Sequence, residues 1–447
     1  MPPIHPHLSL SLSLEVPFCL YSFSFAPTTG ADVYAPRDHI EQYLKTVAKN
    51  YDLEKHMRFN ERVNMAVWDD ARSSYLVETS RGKYWAMFLV SGTGLLSVPK
   101  MPAFVQDAKI STKVKVVHSA EYDRSLRLDG KTVAVIGNGS SGVQLVEAIQ
   151  PIAKRLVLVQ RTPKWVFPKP FLTIPTFLLW PMLNLPFSLG VRFIRLIIFV
   201  TFELLHLAVR SPSPTQRLFT KFLKALTLSA NPNAELPAYR VGCSRLIVHA
   251  GYPETLTKSN VRVVNDAVEG LTASSIKTRG GKTIKVDVAI FATGFKVSDC
   301  GPGFPVHNAA GESLTEVWAA AVEKCGGSSL YGITTPSFPN LFILYGPHTN
   351  TIFGSITYFS ECGSSYVAQI INAVVKRGKR KAVVREECVI EFAAYIRKKF
   401  LGRPELGECN AWYKGTNPQA PVTNFPGGML EYWWLTRRWN EEHYEIN

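Results

Sequence analysis

The sequence predicts an α/β protein of two interleaved dinucleotide-binding, Rossmann-like domains with a helical insertion. Three observations predict it. A strand, a glycine turn, a helix and a second strand follow one another between residues 131 and 165. A pattern of strand, hairpin and strand occurs twice, at residues 59–94 and 261–295. A buried-strand pattern, a turn and a long helix follow at residues 338–376 and are expected to complete the first domain.

Residues 131–165 indicate both a shape and a ligand. The apolar run at 133–136 is typical of a buried parallel strand, and Gly-x-Gly-x-x-Gly follows directly at 137–142. The first glycine permits a tight turn, the second lets the backbone approach a pyrophosphate, and the third allows the helix to pack closely on the strand. The diphosphate then lies at the N-terminus of the helix. We therefore predict a dinucleotide site.

The residue after the second strand selects the cofactor. The strand at 156–159 leads into Gln160 and Arg161, about 20 residues beyond the glycines, where the side chain that contacts the ribose lies. An acidic residue there would accept a hydrogen bond from a free 2′-hydroxyl, whereas the forked cation of Arg161 matches a 2′-phosphate. The sequence therefore predicts NADP rather than NAD.

Composition narrows the class of protein. The 447 residues, 46% of them hydrophobic, suffice for two or three domains. The net charge of +15 favours anionic partners, but no motif indicates nucleic-acid binding. Seven cysteines without a C-x-x-C pair indicate neither a disulfide framework nor a metal site, so a reducing, cytoplasmic location is expected. Residues 1–14 lack a basic n-region and are expected to be an unstructured or foreign start.

An apolar stretch precedes the predicted insertion helices. Residues 171–191 carry no charge and are long enough to span a bilayer. Three prolines would break such a helix: Pro175, Pro181 and Pro186. Residues 193–209 contain charged side chains. We predict a helical insertion packed over the cofactor cleft, and peripheral contact with a membrane surface is the alternative.

The two copies of the repeated pattern differ in what precedes them. After a helix at 34–49, the first copy has strands at 59–67, 75–79 and 84–90; the second has strands at 261–264, 275–278 and 283–291. Both end in small-residue turns, at 91–94 and 292–295. Only the second copy follows a glycine-rich unit. The first domain is therefore expected to be truncated at its N-terminus.

Eight segments are specific when they are taken together: EVPFCLYSFSF (15–25), FLVSGTGLLSVPKMP (88–102), HSAEYD (118–123), VAVIGNGSSG (133–142), LVLVQRTPKWV (156–166), GCSRL (242–246), DVAIFATGF (287–295) and FPNLFILYGPHTNTIFGS (338–355). In these segments the sequence resembles the class B flavin-dependent monooxygenases. That group includes the Baeyer-Villiger monooxygenases and the flavin-containing N- and S-oxygenating enzymes. The likeness covers nearly all of residues 15–447, and fungal members look most similar.

The resemblance implies a domain order and a chemistry. Residues 15–97 would form the first part of an FAD domain, 98–300 an NADP-binding domain with a helical insertion at about 170–235, and 301–447 the rest of the FAD domain and a C-terminal tail. NADPH would reduce FAD, and O2 would then supply one oxygen atom to a ketone or a soft heteroatom in a small-molecule substrate. The cofactors carry this chemistry, and the protein orients them.

The resemblance also assigns cofactor-binding residues. Those that would hold NADP are Gly137, Gly139, Ser140, Ser141, Gly142 and Arg161. Two pairs would be chain crossings near the cofactors, Thr93-Gly94 and Thr293-Gly294. Gly346-Pro347 and the helix after it would face the flavin ring.

Two residues are implied to act in catalysis. His118 matches the end of a degraded family fingerprint and would link the domains; an ordinary core or surface histidine is the alternative. Arg245 matches the arginine that lies beside the flavin in Baeyer-Villiger enzymes, where a fixed cation stabilises developing negative charge. A surface arginine before a strand is the alternative. Glu15 aligns with the acid that pairs with this arginine.

The expected function is an FAD- and NADPH-dependent monooxygenase, with Baeyer-Villiger oxidation of a ketone favoured by Arg245 and His118. N- or S-oxygenation is the first alternative. An inactive NADP-binding relative is the second, because the family's first glycine motif for FAD is not found in the sequence. Weak retention of FAD is expected for the same reason.

Overall fold

The computed structural model describes residues 15–28, 33–106, 112–123, 125–167, 188–209, 213–249, 251–297, 301–407, 409, 413 and 423–447. Its strands are β1 (Val63–Asp69), β2 (Ser74–Thr79), β3 (Lys83–Ala86), β4 (Leu89–Ser91), β5 (Lys115–His118), β6 (Thr132–Ile136), β7 (Arg155–Gln160), β8 (Val166–Phe167), β9 (Ile247–Val248), β10 (Val261–Asn265), β11 (Val268–Leu271), β12 (Ser275–Thr278), β13 (Thr283–Lys285), β14 (Val288–Phe291), β15 (Val306–His307), β16 (Leu341–Ile343), β17 (Ala382–Val384) and β18 (Tyr444–Ile446). Its α-helices are α1 (Phe18–Tyr21), α2 (Arg37–Asn50), α3 (Ala103–Gln106), α4 (Ser140–Ile149), α5 (Leu189–Val209), α6 (Pro214–Ala230), α7 (Tyr252–Thr255), α8 (Leu314–Cys325), α9 (Ile356–Lys376), α10 (Glu386–Phe400) and α11 (Met429–Thr436).

A five-stranded parallel sheet in the order β10-β7-β6-β14-β5 forms the centre of the nucleotide half. Its strands are short apolar runs because both faces are covered, as parallel sheets require. Val133 and Leu156 belong to one hydrophobic cluster together with α4, whereas Ala134 and Val157 belong to another on the opposite face. The predicted strand, turn, helix and strand of residues 131–165 are therefore confirmed.

A second group of strands carries the other half. The sheet β15-β1-β2-β3 is separate from a parallel pair formed by β4 and β16. In this pair Leu341 lies opposite Leu89, so the C-terminal third of the chain returns to the segment that ends the first copy. Two parallel strands end at the same edge of their pair, and this edge becomes one wall of the candidate site.

The repeat exists, but the prediction placed it one strand out of step. Residues 261–265 do not begin the second meander; β10 instead joins the parallel sheet beside β7. The antiparallel meander is β11-β12-β13, and its counterpart in the first copy is β1-β2-β3. The last strand predicted in each copy is in fact two strands. In the first copy these are β3 and β4, and in the second they are β13 and β14. The first strand of each pair ends the meander, and the second pairs in parallel with another strand.

Two long helices, α5 and α6, confirm the predicted helical insertion over the part that the structure describes. The apolar run at 171–191 lies almost wholly outside the described residues. Within the described residues, no helix combines the length and the hydropathy needed to cross a membrane.

The cysteines differ from the prediction. The sequence showed no disulfide signal, whereas Cys243 and Cys409 are bonded across 166 positions of the chain, with their Cα atoms 5.9 Å apart. Distant pairing of this kind has no spacing signature in a sequence. The cysteines therefore no longer support the expectation of a reducing compartment. Among the described residues no cluster of His, Cys, Asp or Glu is arranged to hold a metal ion.

Candidate functional site

The glycine turn after β6 has the shape expected of a pyrophosphate cradle. Gly137 has a φ of +107°, and a Cβ atom there would lie 2.6 Å from the carbonyl oxygen of Ala292. A Cβ atom on Gly142 would lie 2.1 Å from the carbonyl oxygen of Gly137. Gly139, the N-cap of α4, has nothing within 4 Å of its Cβ position. The turn is thus tight at two glycines and open at the third, at the N-terminus of α4, as a diphosphate site requires.

Two alanine substitutions separate folding from binding here. Gly142→Ala is expected to lower the melting temperature because its methyl group collides with backbone that cannot move away. Gly139→Ala is the matched control. It should leave the melting temperature near that of the wild type, yet weaken NADPH binding by about tenfold or more because the methyl group occupies the approach of the pyrophosphate. Differential scanning fluorimetry with and without NADPH measures both effects. Equal losses of stability in the two variants would contradict this assignment.

Two cations, Arg161 and Lys164, follow the end of β7. Asn138 donates to the side chain of Gln160 at 2.7 Å and to the carbonyl oxygen of Thr162 at 2.8 Å, which fixes the backbone around Arg161. Arg161 is exposed and makes no ion pair with any residue that the structure describes. Burial, followed by the nearby charge of Arg161, lowers the pKa of Lys164. Lys164 was not predicted from the sequence, although a second cation three residues after Arg161 was a visible signal.

His118 lies beside the 293–295 connection. It ends β5, pairs in register with Phe291, and is only 1% exposed. Its Nδ1 accepts a hydrogen bond from the Ala120 amide at 3.1 Å, and its ring meets Phe295 edge-on with the centroids 5.9 Å apart. Burial lowers the pKa of His118, which favours the neutral ring. A surface histidine is therefore excluded.

Two antiparallel segments of the chain, residues 99–100 and 293–295, meet here. Thr293 donates its hydroxyl to the carbonyl oxygen of Lys100 at 2.5 Å, and the Lys100 amide donates to the carbonyl oxygen of Gly294 at 2.9 Å. Thr93 lies on the other connection, where its hydroxyl accepts from the Gly303 amide at 3.2 Å. Thr93 and Thr293 therefore each bind a segment that is distant in the sequence, and the crossings at Thr93-Gly94 and Thr293-Gly294 stay a prediction.

Arg245 is held in a buried turn. Its Nε lies 3.4 Å from a carboxylate oxygen of Glu15, whose side chain is 9% exposed, while that of Arg245 is 30% exposed. The preceding residue, Ser244, donates to the hydroxyl of Tyr239 at 3.1 Å. Cys243, one residue earlier, is in the disulfide. The side chain of Arg245 therefore has a fixed base and an acidic partner, and it retains access to a ligand.

The Arg245 turn is also connected to residues 163–165, which follow Arg161. The Tyr239 hydroxyl donates to the carbonyl oxygen of Pro163 at 3.2 Å, and the indole of Trp165 donates to the carbonyl oxygen of Tyr239 at 3.0 Å. After the turn, β9 pairs in parallel with β8. β8 begins five residues after Arg161, and β9 begins two residues after Arg245. The pairing of β8 with β9 therefore positions both Arg161 and Arg245.

A cleft of about 740 Å³ opens at the carboxyl ends of β4 and β16, where α/β proteins bind their ligands. It is lined by Phe23, Ser24, Phe25, Gly92, Gly94, Leu344, Tyr345, Ser360, Glu361, Ser364 and Ser365. The Cβ positions of Gly92 and Gly94 have nothing within 4 Å, so a planar ligand can contact the backbone there. This open wall, with the N-terminal part of α9 opposite, fits a flavin.

An ion pair that was not predicted from the sequence closes one side of this cleft. Arg195 of α5 lies 3.2 Å from Glu361, and their side chains are 12% and 17% exposed. Glu361 also accepts from the amide and the hydroxyl of Ser24, both at 2.7 Å. The guanidinium of Arg195 donates to the carbonyl oxygens of Cys19 and Ser22 as well. The insertion helix is thus fixed to the cleft wall, as the predicted packing over the cofactor cleft requires.

Gly346 and Pro347 are buried in the loop before α9. A Cβ atom on Gly346 would lie 2.3 Å from the carbonyl oxygen of Gly332, and the hydroxyl of Thr349 donates to the carbonyl oxygen of Gly346 at 2.6 Å. Their side of the loop is packed against protein, whereas Leu344 and Tyr345 line the cleft. The loop therefore shapes the wall from behind.

Sequence similarity to known proteins shows to which protein family this chain belongs. A Baeyer-Villiger monooxygenase of Streptomyces coelicolor is 31% identical over 441 residues, which cover 97% of this chain and 83% of that protein. This chain belongs to the class B flavin-dependent monooxygenases. A Baeyer-Villiger monooxygenase of Pseudomonas aeruginosa is 28% identical over 451 residues. The matched region covers 96% of this chain and 81% of that protein. Residues 19–167 match the L-lysine 6-monooxygenase/L-ornithine 5-monooxygenase family.

Solved structures show the same fold at lower identity. An oxidized steroid monooxygenase bound to NADP superposes with a TM-score of 0.78 at 23% identity and covers 98% of this chain and 90% of its own. The cyclohexanone monooxygenase from Rhodococcus sp. Phi1 bound to NADP+ gives 0.77 at 20% identity, with 97% and 90% covered. The predicted Rossmann-like α/β fold class is confirmed. This monooxygenase is an oxidoreductase that uses FAD, NADPH and O2 and acts on a small molecule, as the sequence predicted.

Proposed function

We propose that this monooxygenase performs Baeyer-Villiger oxidation, the insertion of one oxygen atom beside the carbonyl group of a ketone. The observation that carries the proposal is the placement of Arg245. Its guanidinium is paired with Glu15 at 3.4 Å, and Glu15 begins the segment that continues through α1 to Phe23 and Phe25 on the cleft wall. A fixed cation is what attack on a carbonyl requires, because negative charge develops on oxygen as the carbon becomes tetrahedral.

The residues of the nucleotide half would position NADPH. The backbone at Gly137, Gly139 and Gly142 and the first amides of α4, at Ser140 and Ser141, would hold the pyrophosphate, and Arg161 with Lys164 would hold the 2′-phosphate. The nicotinamide end then extends toward the carboxyl edge of the parallel sheet, where β5 and β14 end. We propose that His118 is a positioning residue there, since its neutral ring packs against the 293–295 connection.

The residues of the other half would hold FAD. We propose that residues 15–97 and 301–447 form its domain and 98–300 the NADP domain, with the crossings at Thr93-Gly94 and Thr293-Gly294 near both cofactors. FAD, when bound, accepts hydride from NADPH and activates O2. The protein's part is to orient both cofactors, to exclude water with the α5 insertion, and to supply the charge of Arg245. Gly346 and Pro347 would support the wall that faces the flavin ring.

N-oxygenation of an amine is a second candidate. The match of residues 19–167 to the lysine and ornithine monooxygenase family favours it. Oxidation of a nitrogen lone pair generates no oxyanion on a carbonyl, so it needs no arginine at this position. The two candidates therefore differ in their dependence on Arg245.

Substrate screening with the FAD-loaded protein tests the proposal. Cyclic and linear ketones, sulfides and primary amines are supplied separately with NADPH and 18O2, and the products are identified by mass spectrometry. We expect esters or lactones that carry one 18O atom. Hydroxylamines or sulfoxides in the absence of any ester would favour the second candidate, whereas NADPH oxidation without an oxygenated product from any class would contradict both.

A further inference from the structure

The insertion helix α5 presents a continuous apolar stripe to solvent. Seven large apolar side chains of this helix are between 46% and 60% exposed: Leu189, Phe193, Leu196, Ile197, Val200, Leu204 and Leu207. At 100° per residue they all fall on one side of the helix, over a length of about 30 Å. The remaining exposed residue of α5 is Arg192. The opposite side, with Ile194, Ile198 and Phe202, is buried in the main hydrophobic cluster.

Two neighbouring helices extend this surface. On α6, which packs against α5, Leu218 is 69% exposed and Phe222 is 41% exposed. On α11, three more apolar side chains are exposed: Leu430, Trp433 and Trp434. The carboxylate of Glu203 on α5 accepts the Met429 amide at 2.6 Å, which places the start of α11 beside α5. We call the exposed apolar residues of α5, α6 and α11 the apolar face.

Every exposed charged residue on α5, α6 and α11 is basic. On the three helices and the two residues after α11 these basic residues are Arg192, Arg217, Lys221, Lys224, Arg437 and Arg438. The acidic side chains of these helices are engaged elsewhere: Glu203 with backbone amides, and Glu431 with Lys399 at 2.9 Å. On α6 the basic residues form a row beside the row of Leu218 and Phe222, because they precede it by one residue at successive turns.

This arrangement selects one occupant. Monomeric proteins rarely expose an apolar surface of this extent without a binding role. Helices that lie in the plane of a membrane interface combine an apolar stripe, tryptophans at its border and a lysine- and arginine-rich flank. We call the exposed basic residues of α5 and α6, together with Arg437 and Arg438, the basic rim. A second copy of this chain would bring two basic rims together, and their like charges would repel. Anionic lipid headgroups carry the opposite charge and complement the basic rim.

We propose that the apolar face docks the enzyme on an anionic lipid bilayer, with α5 lying in the interface and not crossing it. The buried side of the same helix carries Arg195, which pairs with Glu361 on the cleft wall. The cleft would then lie about one helix diameter, roughly 10 Å, from the lipid surface. This inference is independent of which substrate the enzyme oxygenates.

Vesicle flotation of the full chain tests the proposal. The probes are vesicles of phosphatidylcholine alone and of phosphatidylcholine mixed with phosphatidylserine, each at low and high salt. We expect binding at least about tenfold stronger with phosphatidylserine, and weaker binding at high salt. A variant with Leu196→Glu and Val200→Glu should lose about tenfold or more of the binding. The matched control is Leu44→Glu, since Leu44 is 47% exposed on α2, a helix that does not carry the apolar face.

The basic rim is tested separately by Lys221→Glu with Lys224→Glu. This variant should lose the preference for phosphatidylserine and the salt dependence, while the melting temperatures of all variants stay near that of the wild type. Two outcomes would overturn the proposal. One is a wild-type protein that binds neither kind of vesicle. The other is a dimer in analytical ultracentrifugation that the Leu196→Glu and Val200→Glu variant dissociates, because the face would then be a contact between copies.

Discussion

Replacing Arg245 by alanine is expected to lower ester or lactone formation by roughly 10²- to 10³-fold. The physical reason is the loss of the one fixed cation that the structure pairs with Glu15 and holds in a buried turn beside the nucleotide segment. NADPH should still be oxidised, because the nucleotide cradle and Arg161 are untouched. The reducing equivalents then appear as hydrogen peroxide, so the ratio of product to NADPH consumed reports the effect directly.

The controls for Arg245 distinguish charge from packing. Arg245→Lys keeps a cation without the fork and should recover part of the activity. Glu15→Gln keeps the shape of the partner, removes its charge, and should give a smaller loss. Arg262→Ala removes an exposed arginine from β10 and should change nothing. If Arg245→Ala couples NADPH oxidation to product as well as the wild type does, the ketone proposal is wrong and N-oxygenation becomes the better account.

Replacing Arg161 by alanine is expected to raise the KM for NADPH by about 10- to 100-fold. The reason is the loss of one or two charge-assisted hydrogen bonds to the 2′-phosphate. The KM for NADH, which has no such phosphate, should stay within about twofold. Lys164→Ala should act in the same direction, and the double variant should approach equal use of both nucleotides. Steady-state kinetics with each nucleotide measures the selectivity.

A second substitution sharpens this test. Arg161→Asp places a carboxylate where a free 2′-hydroxyl would lie and should favour NADH. A loss of NADPH and NADH use by the same factor in Arg161→Ala would show that Arg161 supports the fold of the β7 end instead of reading the phosphate. In that case Gln160, which already holds Asn138 in place, would be the better candidate for a structural role.

Local patterns carried most of the correct fold predictions. The run at 131–165 was predictable because glycine spacing, strand length and the helix face all sit within 35 residues of one another. The strand at 341–343 and the helix after it, α9, were likewise visible. The meander of the second copy was misplaced by one strand because β10 and β11 are separated by only two residues and have similar apolar character.

The remaining features depend on contacts between distant parts of the chain. Arg195 and Glu361 are 166 residues apart, as are Cys243 and Cys409. No periodicity links such partners, and they meet only because α5 packs on the cleft wall and the 242–246 turn faces the C-terminal segment. Only resemblance to a family suggested that Glu15 would meet Arg245. The exposed side of α5 was equally unpredictable, since an apolar helix does not reveal from its sequence which side the fold covers.

The central claim is that this chain brings NADPH to a bound flavin, and one measurement tests it most directly. The purified protein is titrated with FAD to saturation, and its visible absorption spectrum is recorded under anaerobic conditions before and after NADPH is added. We expect a protein-bound flavin spectrum that NADPH bleaches and that O2 restores. A protein that takes up no FAD at saturation, or one whose bound flavin stays oxidised with NADPH, would contradict the account.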